Sequence, residues 1–184
     1  MNKGLVFLGV LVLLGLFVFL GYRSAYNTAV SLQQNVDEKW GNVGVTYQRR
    51  ADLIPSLVNT VKGAAANETN ILTKVTEARA GITSAATPEQ MDAAGAKINN
   101  LIKVTMEAYP QITSTANFSD LQGQLEGTEN RIAVARQDYN AAVKEYNSHI
   151  MGFFNSMFLN SAKFPKKEMF KETPGSEKAP EVKF

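Results

Sequence analysis

The residues best equipped for chemistry fall in two places. Arg49, Arg50 and Asp52 lie almost adjacent, and Glu126, Glu129, Asn130, Arg131 and Arg136 form the densest polar cluster further along the chain. Carboxylates beside guanidiniums can grip an anionic ligand or tune an acid for proton transfer. More often they pair with each other and fix the register of the elements that carry them. The rest of the inventory favours that second use. The chain has no cysteine, which excludes disulfides and thiolate metal sites. His149 is its only histidine, which removes most zinc constellations and any triad needing a second imidazole. No nucleophile–base or metal set can be assembled from what remains, so the expectation is a non-enzymatic protein without a cofactor.

Charge excludes a further class. Positive and negative residues balance, 13 to 13, through Ala162, and the six lysines and four glutamates beyond it supply the whole net charge of +2. A nucleic-acid footprint needs basic residues gathered on a folded surface. None is visible, and no nucleic-acid partner is expected.

The elements that must position these residues begin with an uncharged run, LVFLGVLVLLGLFVFLG, from Leu5 to Gly21 between Lys3 and Arg23. As helix it is about 25 Å long, near the short end of what spans a hydrocarbon core of about 30 Å. Tyr22 can sit at the interface and lengthen it. The candidate cleavage pairs after the run each contain a large residue, so a retained single-pass anchor is expected rather than a signal peptide. Lys3 with the amino terminus barely outweighs Arg23, which tips the soluble part toward the extracytoplasmic side. The glycines at 4, 9, 15 and 21 lack GxxxG spacing and do not signal close helix pairing in the bilayer.

Beyond the anchor, apolar residues recur at helical three–four spacing and no run alternates with period two. Four seams are legible: Ala25 to Tyr47, Leu57 to Ile82, Met91 to Ala108, and Phe118 to Phe153. Flanking residues such as Ile54, Val58, Leu72, Ile102, Val134 and Val143 widen them into bundle faces. Thr87-Pro88-Glu89-Gln90 and Ser119-Asp120-Leu121-Gln122 read as capping boxes opening the third and fourth helices. Tyr109-Pro110 ends the third. In this reading Arg49 and Arg50 close the first helix, Asp52 caps the second, and Pro55 sits in its first turn. The stretch YQRRADLIPSLVNTVKG is then a tight helix–helix corner. The predicted fold is all-α: an N-terminal transmembrane helix (1–22), an antiparallel four-helix bundle with long helices (23–162), and a charged, flexible tail (163–184).

Three segments resemble the LemA family of bacterial membrane-anchored helical proteins. They are VDEKWGNVGVTYQRRADLIPSLVNTVKG (36–63, preceded by Tyr26-Asn27), TEAR (76–79) and LEGTENRIAVARQDYNAAVKEYN (125–147). The resemblance implies a membrane helix followed by an antiparallel helical bundle. It implies no reaction. This chain departs from the family pattern after VKG, where Ala64-Ala65-Ala66-Asn67-Glu68 stands in place of an aromatic followed by His-Glu. Gly44 stands where the family is often acidic.

Other conspicuous residues have plain readings. Tyr139-Asn140 and Tyr146-Asn147 recur one heptad apart, and their tyrosines are expected in the core with hydroxyls satisfied near its edge. His149 continues the same seam as a packed or hydrogen-bonded residue. Glu126 or Glu129 could reach the arginines of the corner, either as an ion-pair network or as a surface read by other subunits. Phe153, Phe154, Met157, Phe158 and Leu159 arrive near the anchor, as a membrane contact or an interface with a neighbouring protomer. The function expected is a self-associating scaffold or interaction protein of the bacterial plasma (inner) membrane. Its partners would be membrane lipid, further copies of itself, and another envelope protein. The alternative is an accessory subunit regulating a membrane protease or other envelope enzyme.

Overall fold

The computed structural model describes the backbone over residues 3–60, 65–108 and 116–171, and within those spans the side chains outside 57–72 and 108–118. Among the described residues every regular element is a helix. They are α1 (Lys3–Thr60), α2 (Ala65–Ser84), α3 (Pro88–Ala108), α4 (Ala116–Met151) and the short α5 (Phe153–Phe158). The all-α architecture with long helices is as expected.

The joints are not all where the sequence puts them. The apolar run and the first bundle helix are one uninterrupted helix, and it passes through Arg49, Arg50, Asp52 and Pro55 to Thr60. The reason is the buried stripe. Ala25, Ala29, Val36, Val43 and Tyr47 are followed in the same phase by Ala51 and Ile54, both fully buried. Burying that continuation outweighs a mid-helix proline, whose lost N–H and ring clash cost about 3 kcal/mol. Arg49 and Arg50 therefore close no helix, and Asp52 is no N-cap; α1 continues to Thr60 and α2 starts at Ala65. Similarly α4 begins at Ala116, so Ser119-Asp120 lies inside it rather than capping it. The early part of the second seam, Leu57 through Leu72 with Asn67 and Glu68, lies outside the residues whose side chains are described. So do Tyr109-Pro110 and Phe118.

The chain forms two compact units, one of residues up to Trp40 with Ala141–Lys167, the other of Gly41–Asn140 with the residues from Glu168. The second unit holds most of the seams. Val43, Tyr47, Ala51 and Ile54 of α1 are buried in it, with Val75, Ala78 and Ile82 of α2, Met91, Ala94, Ile98 and Ile102 of α3, and Leu121, Leu125, Ile132 and Tyr139 of α4. Val134 instead faces solvent. Half of the predicted capping box of α3 is formed: the Gln90 N–H donates to Thr87 Oγ1 (3.3 Å), but Gln90 Oε1 accepts from the Ala86 N–H (2.8 Å), one residue before the cap, rather than from Thr87.

In the first unit Ala25, Ala29 and Val36 of α1 are buried with Val143, Tyr146 and Ile150 of α4. Leu5 to Leu20 are uncovered by protein, and this is the one helix among those described with a stretch long and apolar enough to cross a membrane. The end of the chain also differs from expectation. Little fixed structure was anticipated after Phe164-Pro165, yet the segment is held through Lys171, with Phe164 and Phe170 buried.

Candidate functional site

The charged cluster is tied together rather than open. Arg50 pairs with Glu129 and also donates to the Leu125 carbonyl (3.4 Å), joining α1 to α4. Asp52 pairs with Arg79, joining α1 to α2. Glu126 accepts from Gln122 on its own helix (3.1 Å), and Arg49, Asn130 and Arg131 lie on the exposed surface. Only one of the two arginines, and only Glu129 of the two glutamates, makes the predicted bridge. The contacts come from the three segments that carry the family resemblance, since Arg50 and Asp52 belong to the first, Arg79 to TEAR, and Glu129 to the third.

A further network lies around Asp92, a residue not singled out in the sequence, and it takes in the candidate Arg136. Arg136 reaches both of its carboxylate oxygens (3.0 and 3.3 Å), and the Tyr47 hydroxyl donates to one of them (3.3 Å). Arg136 also donates to the Lys171 carbonyl (3.1 Å) and stacks over the Phe170 ring at 4.7 Å. Burial pushes the Tyr47 phenol up to about 12; Arg136 opposes that rise and Asp92 adds to it. The Tyr47 ring lies so close to Gly95 that a Cβ there would overlap Cε1, with Cδ1 only 3.1 Å away. The helical spacing of Asp92 and Gly95 was the available signal for this contact, and nothing local in the sequence ties either to Tyr47.

The Tyr-Asn pairs have a larger role than filling the core. In the first unit Asn147 forms two bonds with one residue of the C-terminal segment, donating to the Lys167 carbonyl (2.9 Å) and accepting from its N–H (3.0 Å). The Tyr146 hydroxyl donates to the Pro165 carbonyl (3.1 Å). In the second unit Asn140 repeats the double bond with Phe170 (3.0 and 2.8 Å), and the Tyr139 hydroxyl donates to the Glu168 carbonyl (3.1 Å). Seven residues of α4 thus correspond to three residues of the segment. An amide side chain that offers one donor and one acceptor is the natural partner for a main chain with no strand beside it. Lys167 adds an ion pair to Asp37 (3.1 Å), and burial, with Asp37 second, raises the Tyr146 phenol above its ordinary value. These contacts hold the segment by its backbone.

Near the apolar run, His149 Nε2 lies 2.9 Å from the Ala25 carbonyl and its Nδ1 lies 3.2 Å from the Asn155 amide nitrogen. A neutral ring donating from Nε2 and accepting at Nδ1 satisfies both. Tyr26 packs edge-on against Phe164 at 5.4 Å and lies under the Lys163 ammonium at 4.9 Å. That phenol also raises the Lys163 pKa above its ordinary value. Of the five residues expected as a contact surface, Leu159 is buried and Phe158 is half-buried, its ring 6.4 Å from that of Tyr22. Phe153, Phe154 and Met157 remain exposed.

These features define a helical protein with an apolar N-terminal helix suited to a membrane, closed ion pairs, and a backbone-clamped C-terminal segment. The chain belongs to the LemA family, whose pattern matches residues 39–184. Two relatives from Paramagnetospirillum magneticum (strain ATCC 700264 / AMB-1), magnetosome proteins MamQ 1 and MamQ 2, are each 29% identical to it over 182 residues. Each match covers 83% of this chain and 66% of the relative, so the chain spans just under two thirds of the relatives' length.

Proposed function

We propose that this protein is a membrane-anchored, non-catalytic scaffold of the bacterial plasma membrane that self-associates through its folded part, with that part on the extracytoplasmic side. The observation that carries the reading is the continuity of α1, in which the apolar run passes into the buried stripe at Ala25 without a linker. A tether that served only for attachment would tolerate a flexible joint. A helix shared by anchor and core holds the surface beyond it in a defined attitude to the bilayer, as a platform for assembly requires. The side-chain chemistry is consistent with this, since Arg50, Asp52, Glu129 and Arg136 are each engaged in ion pairs between helices. The relatives' name also gives a structure, the magnetosome, and no reaction. Size-exclusion chromatography of the detergent-solubilised full-length chain tests this. A large, homogeneous particle is expected. A monomer would overturn self-association and favour an accessory subunit of another envelope protein, which cross-linking mass spectrometry in native membranes would then identify.

A further inference from the structure

The apolar surface left at the end of α4 has a position that identifies its occupant. Phe153, Phe154 and Met157 are 76%, 72% and 70% exposed, an unusual density of large apolar side chains for a surface facing water. The helix carrying them is firmly placed. Gly152 breaks α4 and sets up the new turn with an extended backbone (φ −58°, ψ 141°). Asn155 fastens α5 to the carbonyl of His149 (2.9 Å), and Phe158 lies edge-on to Tyr22. His149 is itself bonded to the Ala25 carbonyl. Both attachments to α1 therefore fall at Tyr22 and Ala25, within one turn of the end of the apolar run at Gly21. That turn rises about 6 Å, comparable to the headgroup layer of a bilayer. Wherever the run spans, α5 lies at the membrane surface.

We propose that α5 is a second membrane contact, in which Phe153, Phe154 and Met157 enter the headgroup–acyl boundary of the bilayer that holds the Leu5–Gly21 run. Aromatic and thioether side chains suit that depth, where short amphipathic segments bury their apolar face by about 5–10 Å. Lys163 is exposed, and its ammonium lies over the Tyr26 ring, one residue beyond Ala25 on α1, which puts a cation at the level where lipid phosphate would sit. A second copy covering this face would instead shield it from lipid, and the test below separates the two outcomes. The inference rests on the membrane-spanning reading of the run, and its test separates the two.

The chain has no cysteine, so a single introduced thiol labels one site. Phe154→Cys, Met157→Cys, Leu13→Cys and Gln34→Cys are each coupled to an environment-sensitive fluorophore in the full-length protein, reconstituted into phosphatidylcholine vesicles. Lipids carry a nitroxide near the headgroup or deep in the chain. Labels at 154 and 157 should be quenched several-fold more by the shallow nitroxide than the label at Gln34, which sits about 20 Å beyond the run along α1. The label at Leu13 should respond most to the deep one. Labels at 154 and 157 as open to an aqueous quencher as that at 34 would overturn the proposal. So would labels shielded from aqueous and lipid quenchers alike, the result of a covering protein. Failure at Leu13 would overturn the spanning reading instead. The Met157 label carries the test independently if position 154 proves necessary for folding.

Discussion

Replacing Asn147 with alanine should release the C-terminal segment without unfolding the protein. The side chain is 8% exposed and makes two bonds with the main chain of Lys167, at 2.9 and 3.0 Å. Each is worth about 1 kcal/mol net. Once the segment lifts, the freed Lys167 backbone is hydrated, so the loss applies to local opening and not to the global fold. A change of about 2 kcal/mol raises the open population about 30-fold, since 1.4 kcal/mol is a factor of ten. Trypsin reads this directly. The Lys166–Lys167 bond lies within the clamped stretch, and cleavage of a transiently open segment tracks its open population when reclosing is fast. The expected result is cutting after Lys166 about 30-fold faster in Asn147→Ala, with helical content and melting temperature close to wild type. Asn140→Ala should act likewise on the stretch around Phe170. A wild-type cutting rate at Lys166 in a folded Asn147→Ala protein would refute the reasoning, because the amide would then not hold the segment.

Three further perturbations probe the bundle. Gly95→Ala gains about 1 kcal/mol of helix propensity but forces a methyl into the Tyr47 ring at a cost of about 1–3, so a net loss of about 1 kcal/mol is expected in chemical denaturation. Pro55→Ala restores the N–H that a helix interior requires and should raise stability by about 1–3 kcal/mol, readable as a higher melting temperature in detergent. Tyr47 favours its neutral form in the folded state, with its pKa raised from 10.0 to about 12. Its contribution is complete below pH 10 and disappears as the pH rises through about 12, an effect of about 2–3 kcal/mol. Absorbance at 295 nm should accordingly show a last tyrosine step near pH 12 that Tyr47→Phe lacks.

What could be read beforehand, and what could not, follows from the range of the interactions. Periodicity is local, so the buried faces of α1, α3 and α4 were legible. The third helix start was also legible, because Thr87 and Gln90 satisfy each other's neighbourhood within one turn. The corner at Arg49–Pro55 was misread because proline and cations are local stop signals. The stripe through Ala51 and Ile54 was the better guide, being the part that the rest of the core rewards. Long-range pairings were open in principle but not in detail. Glu129 could be placed near Arg50, but Arg79 could not be assigned to Asp52 or Arg136 to Asp92. The C-terminal segment was misjudged for a different reason. Its charge and prolines suggest a solvated chain, and its order comes from side chains on another helix, Asn140 and Asn147. Those were noticed for their spacing, but nothing in the segment itself points to them.

The unbroken passage of α1 from Gly21 to Ala25 has a rotational consequence. With 3.6 residues per turn, the azimuth of the apolar run is locked to that of the stripe Ala25–Ala29–Val36. One residue inserted between Gly21 and Ala25 would turn the run by about 100° and shift it by about 1.5 Å, two would turn it by about 200°, and seven would return it to within about 20° at an added height of about 10 Å. Height and heading above the bilayer are therefore not independent variables. A flexible joint would transmit neither, whereas this helix transmits both, so the direction in which Ala25, Ala29 and Val36 face is tied by helical phase to that of the apolar run.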